Sequence, residues 1–360
     1  MLLERRTRRL APALLSSWDK YRSWLGSRIP EVRKLGEQRE RVRVGVIGVG
    51  AFGRQHLAAF CRRPDAEVVA IADRDLGRAR AVAKEFSVPS AFEDAKTLLA
   101  SSNPDGVSIV TPASDHLQDA LAALSRGCGV LLEKPVALSS EAVGQLLTEE
   151  RESGGFVLPA HILRFAASYQ MLHRSITEGR VGRTLAVVAR RYRSAEHHRL
   201  YSDLHPALMT TVHDIDLALW VTKARPLRVT AVERYANSDD RQPSMLSAMV
   251  ESSDGSVWSF QAGWFLPEGQ EVPDRFEVIG SEGLAACEAT SSLQLPTARD
   301  DEIPPYLREA LDSEIAWFVR ALRVRDHEMP VTLSEAQAGI RLAEAMIASA
   351  KLGGKLTEIG

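Results

Sequence analysis

Glycines 48, 50 and 53, in the segment VRVGVIGVGAFGRQH, fall at the spacing G-x-G-x-x-G directly behind an apolar run and ahead of a helical pattern. That placement calls for a strand-turn-helix unit of a parallel sheet, because each glycine has a mechanical task. The first makes the tight turn, the second admits a pyrophosphate to the backbone, and the third lets helix and strand pack closely. The helix start adds free N–H groups and a partial positive charge that favour phosphate. Phe52, inside the same turn, joins the candidate cofactor contacts. The next apolar run, EVVAIAD, ends in Asp73, 25 residues after Gly48, where a carboxylate accepts both hydroxyls of a ribose. A carboxylate there repels a 2′-phosphate, so NAD is expected over NADP. Arg74 keeps NADP open, since a guanidinium pairs with that phosphate.

From residue 41 to about 160, short apolar runs alternate with amphipathic segments of helical length. Strands are predicted at 42–47, 67–72, 106–110, 129–133 and 156–160, with helices near 53–63, 75–86, 93–100, 114–125 and 140–153. This alternation is the signature of a parallel sheet with crossover helices, a Rossmann dinucleotide-binding domain. After 160 the pattern changes to one helix near 167–178 and then strands at 184–193, 226–235, 245–252, 256–264 and 274–279. Most of these neighbours lack a crossover helix, so residues 161–360 are expected to form an α/β domain with a large, open, mainly antiparallel sheet that binds substrate and mediates oligomerisation. Two helices, near 306–324 and 333–351, close the chain, and the second opens on a Thr332/Glu335 capping box. The C-terminal helix is expected to pack back on the first domain.

The first 43 residues hold twelve Lys/Arg against five Asp/Glu, whereas the whole chain of 360 carries a net charge of only −2. Within them Leu10, Leu14, Trp18, Tyr21 and Leu25 line one helical face, so residues 1–40 read as a basic amphipathic extension packed on the body or a second copy. Its apolar run is interrupted by Asp19 and Lys20, too early for an export signal, and no run of about 18 apolar residues exists to span a bilayer. With near-neutral charge and three scattered cysteines, Cys61, Cys128 and Cys287, the chain is expected in the cytoplasm, without a nucleic-acid partner.

Two segments, SIVTPASDH (108–116) and GVLLEKPVALS (129–139), follow strands of the parallel sheet and so end where open α/β sheets bind ligands. Pro135 favours an extended Lys134, whose ammonium is suited to stabilise negative charge on an oxygen. The glycine turn, TPASDH, EKP, HILRF at 161–165, HDID at 213–216 and VTLSEAQAGIRLAEAMIASA near the end stand in an order that resembles the Gfo/Idh/MocA oxidoreductases over about residues 41–355. The resemblance implies a nicotinamide between a Rossmann domain and an open-sheet domain, with Lys134 on the reacting oxygen and His213 as the catalytic histidine. Gly48, Gly50, Gly53, Asp73, Thr111, Pro112, His116 and Glu133 would then surround the cofactor.

Many relatives carry an aspartate four residues before that histidine, where this chain has Met209. A carboxylate would fix the imidazole tautomer, whereas a thioether accepts hydrogen bonds only weakly. Either Asp216, Asp203 or His205 orients His213, or the chemistry leans on Lys134. The expected reaction is hydride transfer between nicotinamide and a hydroxyl or carbonyl of a sugar, cyclitol or sugar derivative, with Arg164 and Asp216 as substrate contacts. Arg190, Arg191 and Arg193 lie on one strand and point alternately to opposite faces. No metal is expected, because EHH at 196–198 lacks a metal-ligand spacing. An NAD-dependent glycoside hydrolase and a non-catalytic nucleotide-binding, partner-recruiting protein are the alternatives. A homo-oligomer, dimer or tetramer, is expected.

Overall fold

The computed structural model describes residues 41–270, 272–289, 304–324 and 328–360, so the expected N-terminal helix lies outside the described residues. Arg41–Gly360 forms one compact unit built on two sheets. The first sheet takes β1 (Val42–Ile47), β2 (Ala66–Ala72), β3 (Ala91–Phe92), β4 (Gly106–Ile109), β5 (Gly129–Glu133) and β6 (Phe156–Ala160) in the order β3-β2-β1-β4-β5-β6, all parallel. Strands buried on both faces need continuous apolar runs, and VLLE and VGVI supply them. The order reverses between β1 and β4, and at such a switch point the flanking loops part to leave a ligand crevice.

Helices cross between the strands: α1 (Ala51–Cys61), α2 (Leu76–Phe86), α3 (Ala95–Ser102), α4 (Ala113–Leu124) and α5 (Ser140–Ser153). The caps are local chemistry: Asp75, Asp94 and Ser139 each accept an N–H of the first turn, and Gly154 closes α5 in the left-handed region at φ +72°. After β6 the chain makes a 3-10 turn at Ile162–Phe165, then α6 (Ala167–Thr177).

The second sheet holds β7 (Thr184–Ser194), β8 (Pro226–Arg234), β9 (Met245–Ser252), β10 (Val257–Leu266), β11 (Asp274–Gly280), β12 (Leu284–Ala289) and β13 (Thr357–Glu358), in the order β12-β11-β7-β10-β9-β8-β13. Only the β7/β10 pair is parallel, so the sheet is mainly antiparallel, as its alternating pattern indicates. Two of its strands, β12 and β13, escape sequence reading: LAACEA has no β-branched residue and β13 is two residues long. Between β7 and β8 the chain forms a five-residue π turn at Ala207–Thr211 that runs into α7 (Val212–Thr222).

The last two helices join the sheets. On α8 (Pro305–Arg323), Phe318 meets Phe60 and Phe156 edge-on at 6.3 and 5.9 Å, and Leu322 covers Gly106 and Gly129 of the first sheet. On α9 (Leu333–Lys351), opened by the Thr332/Glu335 capping box, Gln337 donates to Ser140 O of α5 at 2.8 Å while Ser349 Oγ accepts Ala231 N of β8 at 2.9 Å. The ring of Phe318 is fully buried, so Phe318→Ala is expected to cost about 3–5 kcal/mol through lost burial plus a cavity, read as a lower urea midpoint at unchanged slope.

Candidate active site

Where β1 and β4 part, the glycines divide their work. Gly48 has φ +86°, and a methyl there would lie 2.6 Å from the Val110 carbonyl oxygen; a methyl on Gly53 would lie 2.0 Å from the Gly48 oxygen. Gly50 is different, since a methyl would meet nothing within 4 Å. The first and third glycines are thus required by the chain's own packing. The second keeps space open before the α1 N-terminus, whose N–H groups receive no side-chain cap. That is the cradle a pyrophosphate needs. Asp73 follows β2, its oxygens accepting Val49 N at 3.1 Å and Asp75 N at 2.9 Å, with the Arg78 guanidinium 3.2 Å away. Arg74 is exposed. Phe52 packs edge-on against His56 at 5.1 Å. These residues fit a dinucleotide.

Pro112 caps α4, and Thr111 donates its hydroxyl to Asp119 at 3.1 Å. His116, expected beside the cofactor, is closed in: Nδ1 lies 2.8 Å from Pro135 O and Nε2 2.8 Å from Thr111 O. Burial pushes its pKa down, so the neutral ring donates its one N–H to one of these carbonyls and packs against the other, lying between the turn after β4 and the turn after β5. Glu133 ends β5 with Oε2 accepting Lys134 N at 3.1 Å and Oε1 facing His56 Nε2 at 3.3 Å, while His56 Nδ1 lies 2.9 Å from Ser108 Oγ. Sequence reading misses His56 because its partners are 52 and 77 residues away.

The Lys134 ammonium donates to Met209 O at 3.3 Å and lies 3.4 Å from Met209 Sδ. Burial lowers its pKa to about 8; the Glu133 carboxylate opposes that shift, and Arg191 and Arg193 add to it. Met209 belongs to the π turn, where bonds run from i to i+5, so its four-residue spacing from His213 is not the same-face relation of a regular helix. His213 is partly buried, and no hydrogen bond holds its ring among the described residues. Burial pushes its pKa well below the ordinary histidine range, and Lys134, Arg191, His161 and Arg193 add repulsion.

None of the three groups considered as orienters holds that ring. Asp216 is taken by Arg164, whose Nη2 and Nε donate to it at 2.7 and 2.9 Å, and Arg164 Nη1 reaches Pro330 O at 2.9 Å and Glu335 at 3.3 Å. Arg164 and Asp216, expected as substrate contacts, are both buried, and Arg164 is shared among Asp216, Glu335 and Pro330 O. Asp203 pairs with Arg241 and His205 with Glu233, both at 3.2 Å. Across the helix, Arg191 grips Asp214 at 2.8 and 3.2 Å and also pairs with Asp274, which Arg193 reaches at 2.7 and 2.8 Å. The alternation of strand β7 therefore aims Arg191 and Arg193 at the site and Arg190 away from it.

Two further histidines border the site. His161, the first residue of HILRF, lies with Nδ1 3.6 Å from Asp216. His197 stands between Tyr201 and Trp264, with ring centroids 5.3 and 5.8 Å away, and burial, Arg193 and Lys134 press its pKa down to about 4. Trp264 Nε1 donates to Thr210 Oγ1 at 2.9 Å, tying this aromatic wall to the π turn. Among the described residues no group of His, Cys, Asp and Glu converges as a metal site, and no helix is long and apolar enough to cross a membrane.

Comparison with known proteins agrees with this geometry. Residues 42–161 match the model of the oxidoreductase family with an NAD-binding Rossmann fold, and residues 169–286 match the GFO/IDH/MocA C-terminal domain. The chain belongs to the GFO/IDH/MocA family of NAD(P)-dependent oxidoreductases. It is similar to inositol 2-dehydrogenase 2 of Saccharopolyspora erythraea, 28% identical over 86% of this chain and 93% of that protein. It is also similar to D-glucoside 3-dehydrogenase of Escherichia coli, 33% identical over 42% of this chain, a match that spans less than half, 44%, of that protein. The structure of scyllo-inositol dehydrogenase from Lactobacillus casei with bound NAD(H) and scyllo-inositol shares the fold at TM-score 0.79 and 21% identity, over 89% of this chain and 99% of that one.

Lys134 carries a stability consequence. Between about pH 8 and its ordinary 10.5 the unfolded chain binds more protons at this lysine than the folded one, so stability rises with pH there, and the full cost is present below pH 8. Lys134→Met is therefore expected to be about 1–3 kcal/mol more stable than the wild type at pH 7, with the gap narrowing above pH 8 in denaturant titrations.

Proposed function

We propose that this protein is an NAD-dependent dehydrogenase of a sugar, cyclitol or related polyol in which Lys134, not His213, exchanges the proton. The observation that carries the reading is the Lys134 ammonium on Met209, beside an imidazole that no carboxylate holds. Bound NAD supplies the hydride acceptor. Lys134, with a pKa near 8, takes the hydroxyl proton as its neutral amine in oxidation and returns it as its ammonium in reduction. His213, surrounded by cations, is a poor site for a second positive charge, so its role is to orient the substrate oxygen as a neutral ring. The Asp73 carboxylate favours NAD over NADP. The relatives named above act on inositol and glucosides, which supports a ring polyol as substrate.

A screen of cyclitols, sugars and sugar acids for growth of the reduced-nicotinamide absorbance tests the reading directly, and a protein that turns over none of them is not this enzyme. On an active substrate, the oxidation rate is expected to rise through about pH 8 and the reduction rate to fall through it. Lys134→Met is expected to lower kcat by about 10²–10⁴. Met209→Asp places a carboxylate beside the ammonium and is expected to move the midpoint about one pH unit upward.

The outer face of the second sheet exposes Met249, Phe265 and Val232, and we place the contact of a homo-oligomer there. Sedimentation of the full chain is expected to give a dimer or tetramer, and a monomer at micromolar concentration would refute it. A reducing, cytoplasmic setting suits a chain with three scattered cysteines, Cys61, Cys128 and Cys287.

A further inference from the structure

Helix α8 runs along the first sheet opposite to β5. Arg323, at its end, donates to Asp65 O just ahead of β2 at 2.9 Å, and Leu322 sits so close to Gly129 at the start of β5 that a methyl there would lie 2.5 Å from its Cδ2. Eight residues before Leu322, about 12 Å back along a helix axis, stands Glu314. Four residues beyond Gly129, about 13 Å along a strand, stands Glu133. Counted from one shared contact, both carboxyl groups arrive at the same level, the carboxyl end of the sheet beside Lys134.

Glu314 is wholly buried, and neither of its oxygens has a hydrogen-bond partner among the described residues. The groups around it offer no neutralising charge. From α1 comes His56, whose Nε2 faces Glu133; from β5 comes Glu133 itself; ahead of the 3-10 turn lies His161, with Nδ1 unpartnered, and Arg164 within that turn is spent on Asp216. Among the described residues Glu133 is the charged group that acts on Glu314, and it repels. A desolvated carboxyl beside another carboxylate keeps its proton.

We infer that Glu314 holds a proton in the free protein and gives it up when an oxidised nicotinamide, a fixed positive charge, binds at this end of the sheet. The O–H bond breaks, the proton passes to bulk buffer, and the carboxylate stays. With the uncharged, reduced nicotinamide in the same place, the Glu133–Glu314 pair would hold that proton again, drawn from bulk buffer. Glu314 touches no reacting atom and is a positioning residue. The inference rests on the cofactor reading above and extends it to a proton reservoir behind the reacting centre.

The test is calorimetric titration of the full chain with NAD⁺ in two buffers of different ionisation enthalpy, in a Lys134→Met background that silences the lysine. The apparent enthalpy is expected to differ between buffers, reporting part of a proton released per site, and to show no such difference with NADH. Adding Glu314→Gln is expected to abolish the buffer dependence while NAD⁺ still binds within about tenfold of its original Kd, a loss a purely structural role would not produce. NAD⁺ binding without buffer dependence, or buffer dependence that survives Glu314→Gln, overturns the inference. Absence of any NAD⁺ binding by heat or fluorescence defeats the cofactor reading, and the inference falls with it. Should Glu314→Gln fail to fold, infrared difference spectra of the wild type decide: the protonated-carboxyl stretch is expected to fade on NAD⁺ addition, and an unchanged stretch overturns the proposal.

Discussion

Two buried arginines hold helix α7 from opposite directions. Arg164, from the turn that follows the first sheet, closes on Asp216, and Arg191, from the second sheet, closes on Asp214. Taking such ions out of water costs several kcal/mol each, and only multiple charge-assisted hydrogen bonds offset it. Each clamp meets that demand with more than one N–H on the same carboxylate. What they secure is orientation more than stability: with Asp214 and Asp216 fixed on different sides, the helix cannot turn about its axis, and His213, adjacent in sequence to the first, has one direction to face.

The same clamps shape the electrostatics. Asp214 and Asp216 are consumed by arginines, so no carboxylate is left to steady the imidazole, while the guanidinium of Arg191 stays near enough to disfavour both an imidazolium and a protonated Lys134. Met209 adds no charge. In this setting the lysine, its pKa lowered to about 8 by burial with Glu133 behind it, is the group to which our proposal gives the proton, and the neutral histidine the one to which it gives hydrogen bonding. Proton handling therefore follows from how the scaffold spends its acids.

What was legible in the sequence was what depends on neighbours. The glycine spacing, the apolar runs of β1, β2, β4, β5 and β6, the Thr332/Glu335 cap and the strand parity of Arg190, Arg191 and Arg193 are set within a few residues of themselves, and the structure places them as read. The pairing of Arg164 with Asp216 was not legible because nothing local distinguishes an arginine that meets an acid 52 positions later from one that waits for a ligand. His56 and Glu314 were missed for the same reason: each matters through groups on other elements. His161 was within reach, since it opens the HILRF motif, but only coordinates place it against Asp216.

The π turn at Ala207–Thr211 carries one residue more per turn than the α-helix it feeds. Rewinding the same five residues as ordinary helix would advance everything before them by about 100° relative to everything after. Lys134 grips the turn itself through Met209 and the arginines grip the helix after it, so such a rewinding would uncouple the amine from the imidazole while leaving both side chains intact. The relation of the two side chains is thus a matter of angular phase, held in a surplus peptide unit that no substitution at Lys134 or His213 would reveal.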